Sequence, residues 1–266
     1  MLVLGVDLAW GDGSGGRLAN ESGVIAVEND GTVIDAGWTV GLDDTIAWIE
    51  SHVRDDVLLF VDAPLVITNA TGQRLCETQT GQRYGRWKVS ANSTNSGSPR
   101  RAGEALCRRL EAAGWRYDPG WDGPPPSGRV ISECYPYTTL VGAHELGYDA
   151  ERPLYKRKPK RWRVVEFRPH RAAVCDDLLR RLDTLAVVDP ALRLRSHPAT
   201  AGLLATPSPH GEREYKHRED LIDAAICAWT GLLWTRHGFG RCQVLGDSGP
   251  GRVATIIAPA RAEQRR

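Results

Sequence analysis

Residues 56–65 read DVLLFVDAPL, a continuous apolar run that stops at Asp62 and Pro64. Its length and its branched and aromatic residues are typical of a strand that is buried on both faces. The segment before it, residues 42–53, has apolar residues at helical spacing and acids near its start, which predicts a helix. Three earlier runs are of strand type, at residues 2–9, 22–30 and 31–40. The start of the chain therefore predicts the order β-β-β-α-β, with the last strand parallel to the first.

Regular elements are fewer after residue 65, and polar segments separate them. The patterns predict helices at 103–114, 169–185 and 216–236, a strand at 129–136, and a terminal hairpin made of RCQVLGD and RVATIIAP. We therefore expect a single α/β domain over residues 1–258, with insertions at about 66–128 and 137–212. The charged tail at 259–266 is expected to fray.

The composition is that of a soluble globular protein. Hydrophobic residues make up 41% of the 266 and charged residues 25%, and the net charge is +1, so charge alone indicates no partner. The six cysteines are scattered, without the paired spacing of a zinc site, which favours a reducing compartment. The sequence has neither a basic leader nor an apolar run long enough to span a bilayer. We therefore expect a cytoplasmic protein that does not enter the membrane.

Acidic residues end three of the predicted strands. Asp7, Asp62 and Glu133 each follow an apolar run. If these strands are parallel neighbours, their carboxyl ends meet at one edge of the sheet, where ligands bind in open α/β folds. The last predicted helix adds Asp220 and Asp223, whose spacing places them on one helix face near its start. Such a set of carboxylates stays ionised only beside a cation, and Mg²⁺ or Mn²⁺ prefers ligands of this kind.

Each acid also has an ordinary structural interpretation when it is taken singly. Asp7 and Asp62 could begin turns. Asp220 and Asp223 suit the first turn of a helix, where the macrodipole favours negative charge. Glu133 could pair with an arginine. Their combined occurrence in one β-β-β-α-β chain favours the metal site over these separate explanations.

A glycine-rich segment follows Asp7. Residues 10–17 read WGDGSGGR, and such a loop could cradle a phosphate through its backbone N–H groups. Alternatively, the glycines form only a turn after the first strand, and Asp7 is the functional residue; we favour this second interpretation. Residues 245–251, LGDSGPG, resemble a second phosphate loop but are also typical of a turn.

Four motifs carry a resemblance to known proteins. In chain order they read GVDLAW, VDAPL, ECYP and REDLIDAAICAW. The last motif resembles the acidic final helix of RuvC-type Holliday-junction resolvases. The four together, over about residues 2–258, resemble domain-of-unknown-function family 429, whose members are described as predicted RNase H-like nucleases.

The resemblance implies an RNase H-like α/β fold with a mixed five-stranded sheet of order 3-2-1-4-5 and flanking helices. It also implies metal-binding or catalytic roles for a set of acids: Asp7, Asp62, Glu133, and Asp220 or Asp223. Mg²⁺ or Mn²⁺ would be the cofactor. The chain departs from the RuvC pattern at Asp62, where those enzymes have a glutamate, and the shorter side chain could change the metal spacing.

Basic, polar and aromatic residues of the insertions, and one lysine of the last predicted helix, could bind a nucleic acid. The candidates are Lys216, Arg86, Lys88, Asn92, Tyr155 and Lys156. The cations could contact phosphates, and Tyr155 could stack on a base. The basic segment 152–171 is alternatively a solvated loop. His217, beside the acidic helix turn, could transfer protons or cap the helix.

The resulting hypothesis is a metal-dependent phosphodiester hydrolase, and more specifically a nuclease acting on nucleic acid. Two alternatives stay open. An ATP-binding phosphotransferase of the actin and sugar-kinase type would use the glycine-rich segment, but it needs a second copy of the β-β-β-α-β unit. A non-catalytic nucleic-acid-binding scaffold would keep the fold without the metal.

Overall fold

A computed structural model describes residues 1–9, 19–156 and 158–265. The glycine-rich segment 10–17, for which the sequence left a turn and a phosphate loop open, lies outside the described residues. The described strands are β1 Leu2–Asp7, β2 Glu21–Val27, β3 Val33–Val40, β4 Val57–Asp62, β5 Arg116–Tyr117, β6 Arg129–Glu133, β7 Cys242–Gly246 and β8 Thr255–Pro259. The described α-helices are α1 Gly41–Ser51, α2 Leu75–Tyr84, α3 Ala102–Ala112, α4 Pro136–Gly142, α5 Val164–Thr184, α6 Pro198–Ala205 and α7 Glu212–His237.

The first six strands form one mixed sheet of order β3-β2-β1-β4-β6-β5. β2 is antiparallel to both β1 and β3, whereas β4 is parallel to β1 and to β6, and β5 is parallel to β6. The central strands β1 and β4 are buried up to their final aspartates, as expected for strands covered on both faces. The α/β class and the opening β-β-β-α-β order are therefore as predicted.

The predicted number of strands in this sheet is wrong. Five strands lie in the predicted order 3-2-1-4-5, here β3-β2-β1-β4-β6, but β5 adds a sixth at the edge beyond β6. Its ladder consists of Arg116 opposite Val130 and Tyr117 opposite Ile131. A strand of two residues is too short to produce an alternating pattern, so it could not be predicted from the sequence.

Helix α7 packs directly on the sheet because two glycines allow a close approach. A Cβ at Gly5 would lie 2.1 Å from the carbonyl oxygen of Ala224, and a Cβ at Gly23 would lie 2.0 Å from that of Asp220. No side chain fits in this space, so the α7 backbone lies against β1 and β2. The packing brings the acidic turn of α7 to the carboxyl end of β1.

Three helices lie where the sequence predicted none. These are α2, α4 and α6, and α2 falls in a segment that reads as a polar loop. The buried face of α2 includes Cys76, Thr80 and Tyr84 at helical spacing, with the Thr80 hydroxyl donating to the Cys76 carbonyl at 2.8 Å. A threonine on the inner face weakens the apolar period, which explains why the helix was missed.

The chain terminus does not fray through residue 265, contrary to the prediction for 259–266. Gln264 is fully buried; its amide donates to the Val141 carbonyl at 3.1 Å, and its carbonyl accepts from the Gln243 amide at 3.0 Å. Hydrogen bonds of Gln264 therefore hold the last turn against the rest of the protein, although its charged residues predict a solvated tail.

The predicted terminal hairpin is present as β7 paired antiparallel with β8. Leu245 and Gly246 of the LGDSGPG segment end β7, and its other residues begin the loop that leads to β8. Within the part of the chain that the structure describes, no helix combines the length and apolar character needed to cross a membrane.

Candidate metal centre and cleft

Three carboxylates meet where β1 and β4 end beside α7. Asp7 and Asp62 are register partners in the two parallel strands, so their side chains leave the sheet on the same face. Asp223 is fully buried on α7, and the contact of that helix with Gly5 brings it over this face. One carboxylate oxygen from each of the three residues lies within 4.8 Å of the other two. The structure thus brings together three of the five predicted acids, which we call the carboxylate triad.

The triad is costly to keep as three anions. Burial raises the pKa of the Asp7 carboxyl well above its usual range, and the neighbouring Asp223 raises it further. Burial also raises the pKa of Asp62, although the charge of Lys156 opposes this effect. Buried carboxylates in this arrangement become stable anions when a cation binds between them.

Asp220 lies one turn before Asp223 and outside the triad. Lys216 forms an ion pair with Asp220, and a second with Glu219 at 3.0 Å. Burial raises the pKa of Asp220 to about 6, while Lys216 and a hydrogen bond with Asp7 act in the opposite direction. A hydrogen bond with Asp7 therefore links Asp220 to the triad, and the ammonium of Lys216 compensates the charge of Asp220.

Glu133 is not brought to the triad. In the sheet it lies opposite Val61, one residue before Asp62, so its side chain points to the other face. There Arg74 donates to its two oxygens at 2.8 and 2.6 Å, and the Leu65 N–H adds a bond of 2.9 Å. Glu133 therefore neutralises a buried arginine, and the predicted metal-binding or catalytic role of Glu133 has no geometric support.

Tyr155 and Lys156 both contact Asp223. Tyr155 is fully buried and its hydroxyl donates to Asp223 Oδ1 at 2.6 Å, so the prediction that it stacks on a base is wrong. The Lys156 ammonium forms an ion pair with Asp223 Oδ2. The sequence singled out Lys156 for phosphate binding and gave no indication that its partner is a carboxylate of the site.

A cleft of about 970 Å³ opens above the triad, and both Asp7 and Asp62 line it. Six basic side chains line it, and four further acids lie among them: Arg100, Arg152, Lys156, Arg213, Lys216 and His217, with Glu21, Glu212, Glu219 and Asp220. Arg152 belongs to the basic segment 152–171 that the sequence analysis singled out, whereas Arg100 and Arg213 were not named, because they lie far apart along the chain and share no motif. We call these six basic side chains the basic rim; together with a cation at the triad, they suit an anionic ligand.

The remaining predicted substrate-binding residues divide into two groups. Lys216 and Asn92 line the cleft, as their predicted role requires. Arg86 and Lys88 are not among the described lining residues. The guanidinium of Arg86 lies 5.3 Å from the ring centre of Trp87, and Lys88 is exposed and paired with Glu151. Their predicted phosphate contacts therefore have no support from the geometry.

His217 lies on the wall of the same cleft, in a defined orientation. Its Nδ1 lies 2.7 Å from a Glu21 carboxylate oxygen, and its ring stacks on Trp38 with the ring centres 3.6 Å apart. The Trp38 indole N–H also donates to the His217 carbonyl at 2.6 Å. These contacts orient the imidazole, as a proton-transfer group requires, and they are not those of a helix cap.

Comparison with known proteins gives one result. A search of the curated proteins finds no match to the chain, and a search of the solved structures finds none either. One family profile matches residues 5–248, which is most of the chain and includes all three triad residues. The chain therefore belongs to the family described as Protein of unknown function (DUF429).

Proposed function

We propose that the protein is a metal-dependent phosphodiester hydrolase that acts on nucleic acid, and that its core is RNase H-like. The observation that carries the proposal is the carboxylate triad, with ligand oxygens of Asp7, Asp62 and Asp223 within 4.8 Å of one another. The triad lies at the bottom of a cleft with a basic rim. Metal-dependent hydrolysis of a nucleic acid uses both features, a site for a cation and a surface for a polyanion.

The RNase H-like assignment is supported by the arrangement of the core. Strands β3-β2-β1-β4-β6 lie in the order that the resemblance implies, and α1 connects β3 to the parallel strand β4. Helix α7 brings its acidic turn to the end of β1. The extra strand β5 extends the far edge of the sheet and leaves the triad end of β1 and β4 unchanged.

The residues of the triad fit Mg²⁺ or Mn²⁺. The three donors are carboxylate oxygens, which these ions prefer, and the ammonium of Lys156 supplies only one positive charge to them. A bound ion would supply an activated water and charge stabilisation at the leaving oxygen. Asp7 and Asp62 would hold the ion, and Asp223 would add a third negative charge beside it. Lys216 would attract a substrate phosphate at the rim.

The non-catalytic nucleic-acid-binding scaffold remains a second candidate because of one contact. Lys156 already supplies a positive charge to Asp223. If Lys156 sufficed to neutralise the triad, the basic cleft would bind nucleic acid without a metal. The phosphotransferase alternative has less support, since one β-β-β-α-β unit is present among the described residues.

Calorimetric titration with Mn²⁺ and Mg²⁺ tests the proposal. We expect the wild type to bind metal and Asp7→Asn to lose that binding, because the substitution removes a triad charge. Asp55→Asn, a change of the same chemistry at an exposed aspartate, is the control and should bind as the wild type does. Cleavage of end-labelled DNA and RNA oligonucleotides should follow the same pattern.

Absence of metal binding by the wild type, both alone and with an oligonucleotide added, would refute the hydrolase proposal. Oligonucleotide binding that persists under those conditions would favour the scaffold. Binding of ATP in place of the oligonucleotide would favour the phosphotransferase.

A further inference from the structure

Both oxygens of Asp223 are engaged by two consecutive residues of another segment. The Tyr155 hydroxyl donates to Oδ1 at 2.6 Å, and the Lys156 ammonium forms an ion pair with Oδ2. The Asp223 side chain is fully buried, and 19% of the Lys156 side chain is exposed. One carboxylate of the triad therefore already has a cation supplied by the chain itself.

The Lys156 ammonium is held in this position by its surroundings. It lies 5.3 Å from the ring centre of Tyr137 and 5.5 Å from that of Tyr155, within the range of cation–π attraction. The backbone is fixed as well, because the Tyr155 carbonyl accepts from the Tyr215 hydroxyl of α7 at 2.5 Å. Lys156 is thus a fixed part of the site, unlike an exposed lysine that samples many rotamers.

A site for two divalent ions about 4 Å apart requires carboxylate oxygens for both ions. Asp7 and Asp62 are register partners and can hold one ion between them. A second ion would depend on Asp223, whose two oxygens already have partners. Binding there would displace a buried ion pair and a buried hydrogen bond, and it would place three cations, two divalent ions and the Lys156 ammonium, close together.

We infer that Lys156 occupies the place of a second divalent cation, so that the site binds a single ion held by Asp7 and Asp62. The inference rests on the proposed function, since it concerns the number of ions at the same site. In a two-ion enzyme the second ion stabilises the leaving oxygen. Here Lys156 would supply a permanent positive charge beside Asp223, and the charge would not depend on the metal concentration.

The stoichiometry of Mn²⁺ binding tests this inference without any activity measurement. Calorimetry and electron paramagnetic resonance on the metal-free full chain should give about one ion for the wild type and about two for Lys156→Met, with spin coupling between the two ions. Lys158→Met removes an exposed lysine of the same segment and should leave the stoichiometry at about one. Lys156→Met/Asp223→Asn removes the freed carboxylate and should restore about one ion.

If Lys156→Met alone folds poorly, Lys156→Gln replaces it, because its neutral amide can still donate to Asp223; about two ions are expected for this variant as well. A wild type that binds two ions, or a folded Lys156→Met that still binds one, would overturn the inference and leave the hydrolase proposal standing. A wild type that binds no ion, with or without oligonucleotide, would overturn both.

Discussion

Asp62 and Glu133 end neighbouring parallel strands, and their register differs by one residue. This difference decides which face of the sheet each side chain lies on. Asp62 lies opposite Asp7, whereas Glu133 lies opposite Val61. Because side chains alternate between the two faces of a sheet, Asp62 joins the triad and Glu133 points to the opposite face. On that face it is the partner of the buried Arg74. An acidic residue at the end of a strand can therefore belong to the triad or neutralise a buried arginine, depending on its register.

Substitution of Glu133 by glutamine should lower stability without affecting metal binding. The change leaves Arg74 with Glu77 as its carboxylate partner, so we expect the free energy of unfolding to fall by about 3 kcal/mol. Chemical denaturation measures this loss, and calorimetry should give an unchanged Mn²⁺ affinity. Glu151→Gln is the control, because its ion pair with Lys88 is exposed and contributes less than about 1 kcal/mol. A stable Glu133→Gln protein that no longer binds Mn²⁺ would show that Glu133 is a ligand after all.

At the scale of the elements, the packing of α7 on β1 and β2 decides whether the triad forms. The strands alone bring two carboxylates together, and the third depends on the distance between helix and sheet. Gly5 and Gly23 set that distance, since a Cβ at either residue would meet the α7 backbone. The geometry of the triad therefore depends on two glycines that contribute no side-chain group to it.

Gly5→Ala should consequently damage both stability and metal binding. We expect the free energy of unfolding to fall by about 3 kcal/mol because the new methyl group overpacks the contact with Ala224. The Mn²⁺ affinity should also fall as Asp223 is displaced. Gly37→Ala is the matched control on β3, where a Cβ would meet nothing within 4 Å. Equal stability and equal Mn²⁺ affinity in the two variants would contradict this account of the packing.

The sequence predicted the strand-terminal acids well and their partners poorly. Asp7 and Asp62 could be predicted because apolar runs of similar length end at both and a crossover helix makes their strands parallel. The register of β6 could not be predicted, because an insertion separates β6 from β4 and the pairing of the two strands is set only in the folded sheet. For the same reason, no local pattern indicated that Arg74 would neutralise Glu133 or that Lys156 would meet Asp223.

At the scale of the whole molecule, the insertions and α7 build a basic rim around an acidic floor. Arg100 and Arg152 come from the insertions, whereas Arg213 and Lys216 come from the start of α7. The net charge of +1 gives no sign of this separation of charge. A polyanion would be attracted to the rim and held above the triad, so the local field matters more than the total charge.

Arg213→Ala should weaken oligonucleotide binding uniformly across sequences. If the guanidinium contacts a phosphate, its removal should also reduce the slope of log affinity against log salt by about one unit. Fluorescence anisotropy over a range of salt concentrations measures both effects. Arg180→Ala, an exposed arginine paired with Asp177 on α5, is the control and should behave as the wild type does. An unchanged slope for Arg213→Ala would place the nucleic acid elsewhere on the surface.

The most direct test of the carboxylate triad as a metal centre is an anomalous difference map at the manganese absorption edge, from a crystal grown with Mn²⁺. Our account predicts one peak, in contact with oxygens of Asp7 and Asp62, with Lys156 still paired to Asp223. A map without a peak between these carboxylates, from crystals that hold Mn²⁺ at saturating concentration, would contradict the metal centre on which the proposed hydrolase depends.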